Sequence, residues 1–348
     1  VCQSKTITLI WECDDPDGDK VAYEIYFGEG SIPPLLASVG RDLTYNVSDL
    51  EPRTTYYWKI VAKDEKGASV EGPIGYFRTD THLSSCKTSK IIPDVALVEK
   101  GSFIMGDEFG DLCDVCTPTH RVTLTYSFYI WKYEITFDEY DAFCEATGRN
   151  KPYDPGWGRG QRPVINVTWW DAISYCNWLS EKGGLPKAYD DEGNLLDKDG
   201  RVTTDPSQVV GYRLLTEAEW EYAARGGKHH SPFKYSGSDN ADEVAWHSGN
   251  SGDKTHEVGQ KPPNELDIYD MSGNVLEWCT DWYGISIRYS SSAQVNPYKM
   301  LDYLDYRVVY RGGCWFNDAT YSRVAERFDG VPSDTGVNLG FRIARTVP

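Results

Sequence analysis

The sequence predicts a multi-domain chain, an all-β sandwich followed by a larger α+β domain. Three observations carry this. The 348 residues exceed what a single hydrophobic core usually organises. Residues 1–80 hold short runs of strand-forming residues separated by turn signals, while the well-punctuated helix starts lie beyond residue 94. Between them Thr79 to Pro93, TDTHLSSCKTSKIIP, is polar and lacks an apolar period, as a linker does.

In chain order, ITLIWEC, VAYEIYFG, LTYNV, YYWKIVAKD and GYFRT read as strands of the first domain. Alternation sets Tyr56, Trp58, Ile60 and Ala62 on one face, with Trp11 as a core partner. The turn DPDGD carries Asp14, Asp15, Asp17 and Asp19 without the spacing or distal Glu of an EF-hand, so a hairpin turn is expected there rather than a calcium loop. The predicted domains are therefore 1–80, a linker at 81–93, and 94–348.

In the second domain, Thr136-Phe137-Asp138-Glu139 and Thr216-Glu217-Ala218-Glu219 are capping boxes, and Thr168 heads a third helix, WWDAISYCNWLSEKGG, stopped at Gly183. Gly226 stops the helix EAEWEYAAR. The segment AYDDEGNLLDKDGRVTTD reads as an inserted hairpin whose carboxylates form a solvated edge. Beyond Gly226 the chain is rich in Gly, Asn and Trp, so cohesion is expected from short strands, Trp packing and ions.

The formal charge of -18 disfavours nucleic acid and anionic membrane surfaces. Twelve Trp and 24 Tyr supply the rigid amphipathic rings that populate recognition surfaces. No run is long and apolar enough for a transmembrane segment, and the chain opens at Val1-Cys2 without a cleavable leader. An extracellular or cell-surface location is expected, with a leader removed or the chain trimmed. Nine cysteines are too sparse for a disulfide scaffold. Cys113 and Cys116 form a lone C-x-x-C for which a loop disulfide or two thiols is favoured over metal or redox work, and Cys144 and Cys176 read as buried thiols. No H-E-x-x-H or G-x-S-x-G arrangement is present, and His229-His230 falls in a polar loop.

At Leu50 to Trp58 the stretch L-x-P-x-T-x-Y-x-W resembles a fibronectin type III domain. The second domain resembles the formylglycine-generating enzyme, or sulfatase-modifying factor, family through Gly101-Ser102-Phe103-Ile104-Met105-Gly106, Arg162-Pro163-Val164, Trp170-Asp171-Ala172, Tyr212-Arg213-Leu214, Thr216 to Gly227, Gly273-Asn274-Val275-Leu276-Glu277-Trp278, Arg311-Gly312-Gly313 and Gly340-Phe341-Arg342. Leu215 stands where the family usually has proline. The resemblance implies a variant of the C-type lectin fold. Oxidase members of the family bind copper(I) with two cysteines shortly after the Gly-Gly turn, a soft-ligand pair suited to that ion. Here the first of those positions falls near Asn317 and the second has no counterpart, so the copper chemistry is expected to be absent; the alternative is a copper-dependent oxidase using Cys279 and Cys314. The resemblance also implies a structural calcium held by Asp270, Gly273, Val275 and Glu277, the competing reading being that Glu277 only accepts hydrogen bonds.

The segment Arg311 to Ala344, RGGCWFNDATYSRVAERFDGVPSDTGVNLGFRIA, mixes rigid aromatics with small polar residues, as a binding surface does. Trp315, directly after the Gly-Gly turn, is expected to be buried. The ligand-binding residues expected are Phe316, Asn317, Asp318, Tyr321, Ser322, Phe328, Asp329, Gly330, Val337 and Asn338. The RGG-x-W and GFR frame also resembles the variable regions of proteins diversified by diversity-generating retroelements. The expectation is thus a non-enzymatic binding protein whose partner is a protein or a glycan.

Overall fold

A computed structural model of the chain describes residues 7–10, 21–30, 32–40, 44–48, 50–51, 54–64, 66, 69–72, 74–78, 95–112, 114–283, 288–300 and 306–347. It divides into two compact units, one built on Val1–Asp94 and the other on Val95–Glu181 and Leu185–Pro348. Trp11, the Asp14 to Asp19 cluster, Cys113 and the expected linker lie outside the described residues.

In the first unit β1 (Ile7–Ile10) pairs with β4 (Thr44–Val47). In a second sheet β2 (Val21–Gly28) lies between β3 (Leu35–Val39) and β5 (Thr55–Asp64), and β5 also takes β6 (Ser69–Glu71) and β7 (Gly75–Arg78). Every pairing is antiparallel. The alternation read from the sequence holds: Tyr56 and Ile60 enter a core with Leu9, Ile25 and Phe27, and Trp58 and Ala62 pack against it. The Tyr56 hydroxyl accepts from the Glu51 backbone N–H at 2.9 Å, tying the approach of β5 to its first turn.

The second unit runs β8 (Val95–Val98), β9 (Gly101–Met105), β10 (His120–Leu124), β11 (Phe128–Trp131), α1 (Phe137–Thr147), α2 (Trp169–Lys182), β12 (Arg213–Leu214), α3 (Glu217–Ala224), α4 (Ala241–Val244), β13 (Leu276–Trp282), β14 (Gln294–Val295), β15 (Val308–Arg311), β16 (Arg327–Gly330), β17 (Leu339–Phe341) and β18 (Ile343–Thr346). Both capping boxes form, each threonine accepting from the glutamate N–H of the same box. Thr168 caps α2 in the same way with Asp171, whose carboxylate returns to the Thr168 N–H at 3.1 Å. The helix α4 was not foreseen, because its single turn is marked by little more than the Asn240 cap.

Three sheets follow, β14-β10-β9, β12-β18-β11-β8 and β16-β15-β13-β17. Every residue of β13 is buried. Leu276, Trp278 and Trp282 enter one core cluster with Trp169, Phe143 and Phe341, and Cys279 enters another with Trp220, Phe128 and Tyr222. A strand covered on both faces is expected to read as a continuous apolar run, but Glu277, Thr280 and Asp281 interrupt this one. Cys144 and Cys176 are buried as expected. In the inserted hairpin Asp190 and Asp197 are not merely solvated; each carboxylate accepts two backbone amides of its own turn. Among the described residues no helix is long and apolar enough to cross a membrane.

Candidate functional site

Buried arginines hold the segment that begins at Arg311. Arg311 ends β15 beside Glu277 of β13 and reaches Glu221 of α3 and the Glu326 carbonyl. Arg327, opening β16, makes two bonds to Glu217 of α3 at 2.8 and 2.7 Å. Arg342 donates to both oxygens of Glu277, at 2.8 Å for the shortest contact, and to the Trp131 and Tyr269 carbonyls at 3.0 and 2.7 Å. Burial alone would raise the Glu221 pKa, but the Arg225 and Arg311 guanidiniums outweigh it and hold the carboxyl below its usual range. The chain is thus pinned by charge-assisted bonds at its start, middle and end, and Phe316, Asp318, Thr320 and Tyr321 between the first two pins, and Val331 and Ser333 to Thr335 between the last two, reach the surface. Gly313 is required for the first turn, since at φ +71 a Cβ would come within 2.5 Å of Ser322 Oγ and 2.7 Å of the Tyr321 carbonyl.

Phe316 and Tyr321 each stand 47% exposed, with exposed Asp318 and Thr320 between them. The Asp318 carboxylate caps the short 3-10 turn Ala319–Ser322 by accepting from the Thr320 N–H at 3.0 Å. Trp315 is buried as expected; its indole donates to the Val337 carbonyl at 3.0 Å, and Trp157 and Phe316 pack edge-on to it. Phe328 is half-buried, stacked on Tyr310 and in contact with Tyr321, so it supports the face more than it offers contact. Asn317 and Asn338 are half-buried around Cys314, whose thiol donates to Asn317 Oδ1 at 2.9 Å and accepts from Asn338 Nδ2 at 3.7 Å. Asp329 pairs with Arg307 at 2.8 Å, Gly330 is half-buried, and Val337 packs against the core. Ser322 must be corrected: it is fully buried beneath the Gly313 turn and cannot touch a ligand.

Sequence reasoning missed a neighbouring loop. Asn166 donates from its N–H to the Gly336 carbonyl and from its side chain to the Tyr153 carbonyl, both at 2.9 Å, and Trp157 meets Trp315. Tyr153, 70% exposed, is thereby brought beside the segment. The glycine-spaced aromatic in DPGWGRG is the signal that marks this loop as an ordered turn.

The thiols named for a copper site lie in separate core clusters. Cys279 Sγ is directed to the Glu277 carbonyl and Cys314 Sγ to Asn317. Burial pushes both thiols up, Cys279 further through Glu217, so neither is poised as a thiolate.

Around the calcium residues, Asp270 (φ 56), Gly273 (φ 82) and Asn274 (φ 60) lie in left-handed conformations that turn the loop into β13. Glu277 accepts from the Trp220 indole at 2.8 Å as well as from Arg342. Asp270 Oδ2 accepts from the Gly259 N–H at 2.7 Å, while its buried Oδ1 has no partner. Burial pushes the Asp270 carboxyl up to about 6, and burial, Asp270 and Glu277 raise Glu134 well above its usual range. The unpartnered oxygen and the surplus of buried carboxylates over Arg342 fit a hard cation at Asp270. Glu277 reaches such an ion only with oxygens already shared with Arg342 and Trp220. Among the described residues no three His, Cys, Asp or Glu side chains form a metal-binding group.

A model of the sulfatase-modifying factor enzyme 1-like domain matches residues 81–347. The chain is 34% identical over 295 residues to the chaperone protein LppX of Paenibacillus barcinonensis, across 76% of this chain and 94% of that one. It is 27% identical to the formylglycine-generating enzyme of Streptomyces coelicolor, across 70% of this chain and 86% of the enzyme. It also matches the serine/threonine-protein kinase pkn1 of Chlamydia pneumoniae at 28% identity, spanning only 39% of that kinase's length. The solved structure of Treponema denticola variable protein 1 superposes with a TM-score of 0.59 at 31% identity, covering 73% of this chain and 95% of that one.

Proposed function

Since the chain belongs to the sulfatase-modifying factor enzyme 1-like domain family, we propose that it is a non-enzymatic recognition protein displaying the Arg311 to Ala344 segment as its ligand-binding face. One observation carries the reading: Arg311, Arg327 and Arg342 fix the frame through buried ion pairs, while Phe316, Asp318 and Tyr321 stand exposed between the pins. Exposed rings and short polar side chains on a rigid support recognise partners at low entropic cost. The likeness to the Treponema variable protein supports this reading and a retroelement-diversified origin for the face. The partner is a protein or glycan met outside the cell, with the N-terminal sandwich a fibronectin type III spacer supported by the Tyr56 bond to the Glu51 amide. A calcium ion held by Asp270 with the Gly273 and Val275 carbonyls and Glu277 braces the loop beneath.

The copper-oxidase alternative loses its support in the separation of Cys279 from Cys314. The test is the Phe316→Ala/Tyr321→Ala variant, assayed beside the parent chain on glycan and protein arrays. It unfolds at the parent's temperature and loses the parent's selective binder; retained binding would overturn the assignment of the face. One equivalent of copper(I) bound, with turnover of a cysteine-containing peptide, would restore the oxidase.

A further inference from the structure

The Arg311 to Ala344 segment carries negative charge that its own chain leaves uncompensated. Its four arginines are all paired with carboxylates, Arg311 with Glu221, Arg323 with Asp111, Arg327 with Glu217 and Arg342 with Glu277, and it contains no lysine. Arg307, just before it, pairs with Asp329. Asp318 and Asp334 are exposed, and among the described residues neither forms an ion pair. His247, which lies near Asp318, is bonded instead to Asp242 at 2.9 Å. Each of the two carboxylates is fixed through one oxygen: Asp318 Oδ1 accepts the Thr320 N–H and hydroxyl at 3.0 and 2.8 Å, and Asp334 Oδ2 accepts the Val331 N–H at 2.9 Å. The Thr320 bonds hold the Asp318 carboxyl below its usual range, so it stays ionised.

The rings beside these carboxylates are open in the same sense. Tyr321 continues a row in which its ring lies 6.1 Å from Phe328, and Phe328 stacks on Tyr310 at 5.8 Å. Asp334 lies at the far end of that row, since a Cβ on Gly330 would meet both Tyr310, at 2.9 Å, and the Asp334 carboxylate, at 3.2 Å. Elsewhere in the second unit, rings that reach solvent are covered by the chain's own cations: Lys234 lies over Phe109 at 5.1 Å, Lys261 over Trp246 at 4.3 Å and Arg345 over Tyr212 at 5.7 Å. Among the described residues no cation covers Tyr310, Phe316, Tyr321 or Phe328.

An aromatic face attracts cations through its quadrupole, and a carboxylate beside it completes a site for a guanidinium or an ammonium. The formal charge of -18 steers a basic partner towards the chain and repels an acidic one. A neutral or acidic glycan would leave both carboxylates without a counter-charge. We propose, resting on the display-face reading above, that the partner is a protein surface presenting arginine or lysine side chains, whose cationic heads pack on the Phe316 and Tyr321 rings and pair with Asp318 and Asp334.

The test pans a phage-displayed random peptide library on the full chain and, in parallel, on Phe316→Ala/Tyr321→Ala. Clones retained only by the parent are enriched in Arg and Lys over the unpanned library, and the strongest is made as a synthetic peptide and titrated calorimetrically. Its affinity falls at least about tenfold when its Arg and Lys are replaced by Gln, and by as much on Asp318→Asn/Asp334→Asn. That variant unfolds at the parent's temperature, because Asn keeps an acceptor for each turn amide. Glu99→Gln/Glu265→Gln, which removes the same charge just beyond the end of α3, changes the affinity by less than about twofold. No parent-only clones, parent-only clones without excess basic residues, or parent-like binding by Asp318→Asn/Asp334→Asn would each overturn the cationic partner. Parent-only clones lacking basic residues would leave the display face standing, whereas a basic peptide held equally by Phe316→Ala/Tyr321→Ala would overturn the face as well.

Discussion

Replacing Arg342 by Met removes the cation from the most heavily bonded pin of the display segment while keeping an unbranched side chain in its place. In the parent, Arg342 is fully buried and bonds both Glu277 oxygens and the Trp131 and Tyr269 carbonyls. Without it Glu277 keeps the Trp220 indole but faces Glu134 and Asp270 with no opposing charge. Breaking a buried pair by removing one partner costs ~3–5 kcal/mol, and each carbonyl stripped of its donor adds ~1–3 kcal/mol, less whatever relaxation recovers. The loss is therefore on the order of 5 kcal/mol, a large part of the ~5–15 kcal/mol that holds a domain together. Urea unfolding followed by Trp fluorescence reads it as a fall in midpoint. Adding Glu277→Gln removes the stranded charge as well, so the double variant is more stable than Arg342→Met alone. A loss under about 1 kcal/mol for Arg342→Met, or a double variant less stable than the single one, would refute the view that this pair holds the frame.

Gly313→Ala places a Cβ against Ser322 and the Tyr321 carbonyl in a left-handed turn, which costs ~1–3 kcal/mol by thermal unfolding. Calcium raises the melting temperature of the parent, by ~2.7 kcal/mol in stability at a hundredfold excess over Kd; Asp270→Ala abolishes the rise, and an unchanged rise would remove Asp270 from the site. Burial, then Glu217, pushes the Asp281 carboxyl up to about 7 from the ordinary 3.8 of an aspartate. The folded chain thus binds the extra proton between those values, and the stability this group gives is complete below the lower one and lost as pH rises through the upper. The change is on the order of 4 kcal/mol, so the parent loses stability from about pH 4 to about pH 7 relative to Asp281→Asn; parallel profiles would show that this carboxyl titrates normally.

Local codes were legible. The threonines at 136, 168 and 216 announce their helices because a capping box is written within four residues. The face of β5 was legible because period two needs only one strand, and the burial of Trp315 followed from its place after a tight turn. What stayed hidden depends on partners far away in the chain. Nothing near Arg311 says that it meets Glu221, or that Tyr153 is carried to the display segment by Asn166. Ser322 looks like a surface residue in sequence, and its burial follows only from the Gly313 turn folding back over it. Likewise Cys279 and Cys314 both follow short motifs that invite pairing, yet β13 turns one thiol into a different core cluster from the other.

The division between frame and face is tested most directly by saturation mutagenesis of Arg311 to Ala344 in a displayed library, scored separately for folded display and for binding to the ligand selected on the arrays. Display is lost at Arg311, Gly313, Arg327 and Arg342 and kept at Phe316, Asp318 and Tyr321, where binding is lost instead. Substitutions at 316, 318 and 321 that spare binding, or that cost display as much as those at the arginines, would contradict the account.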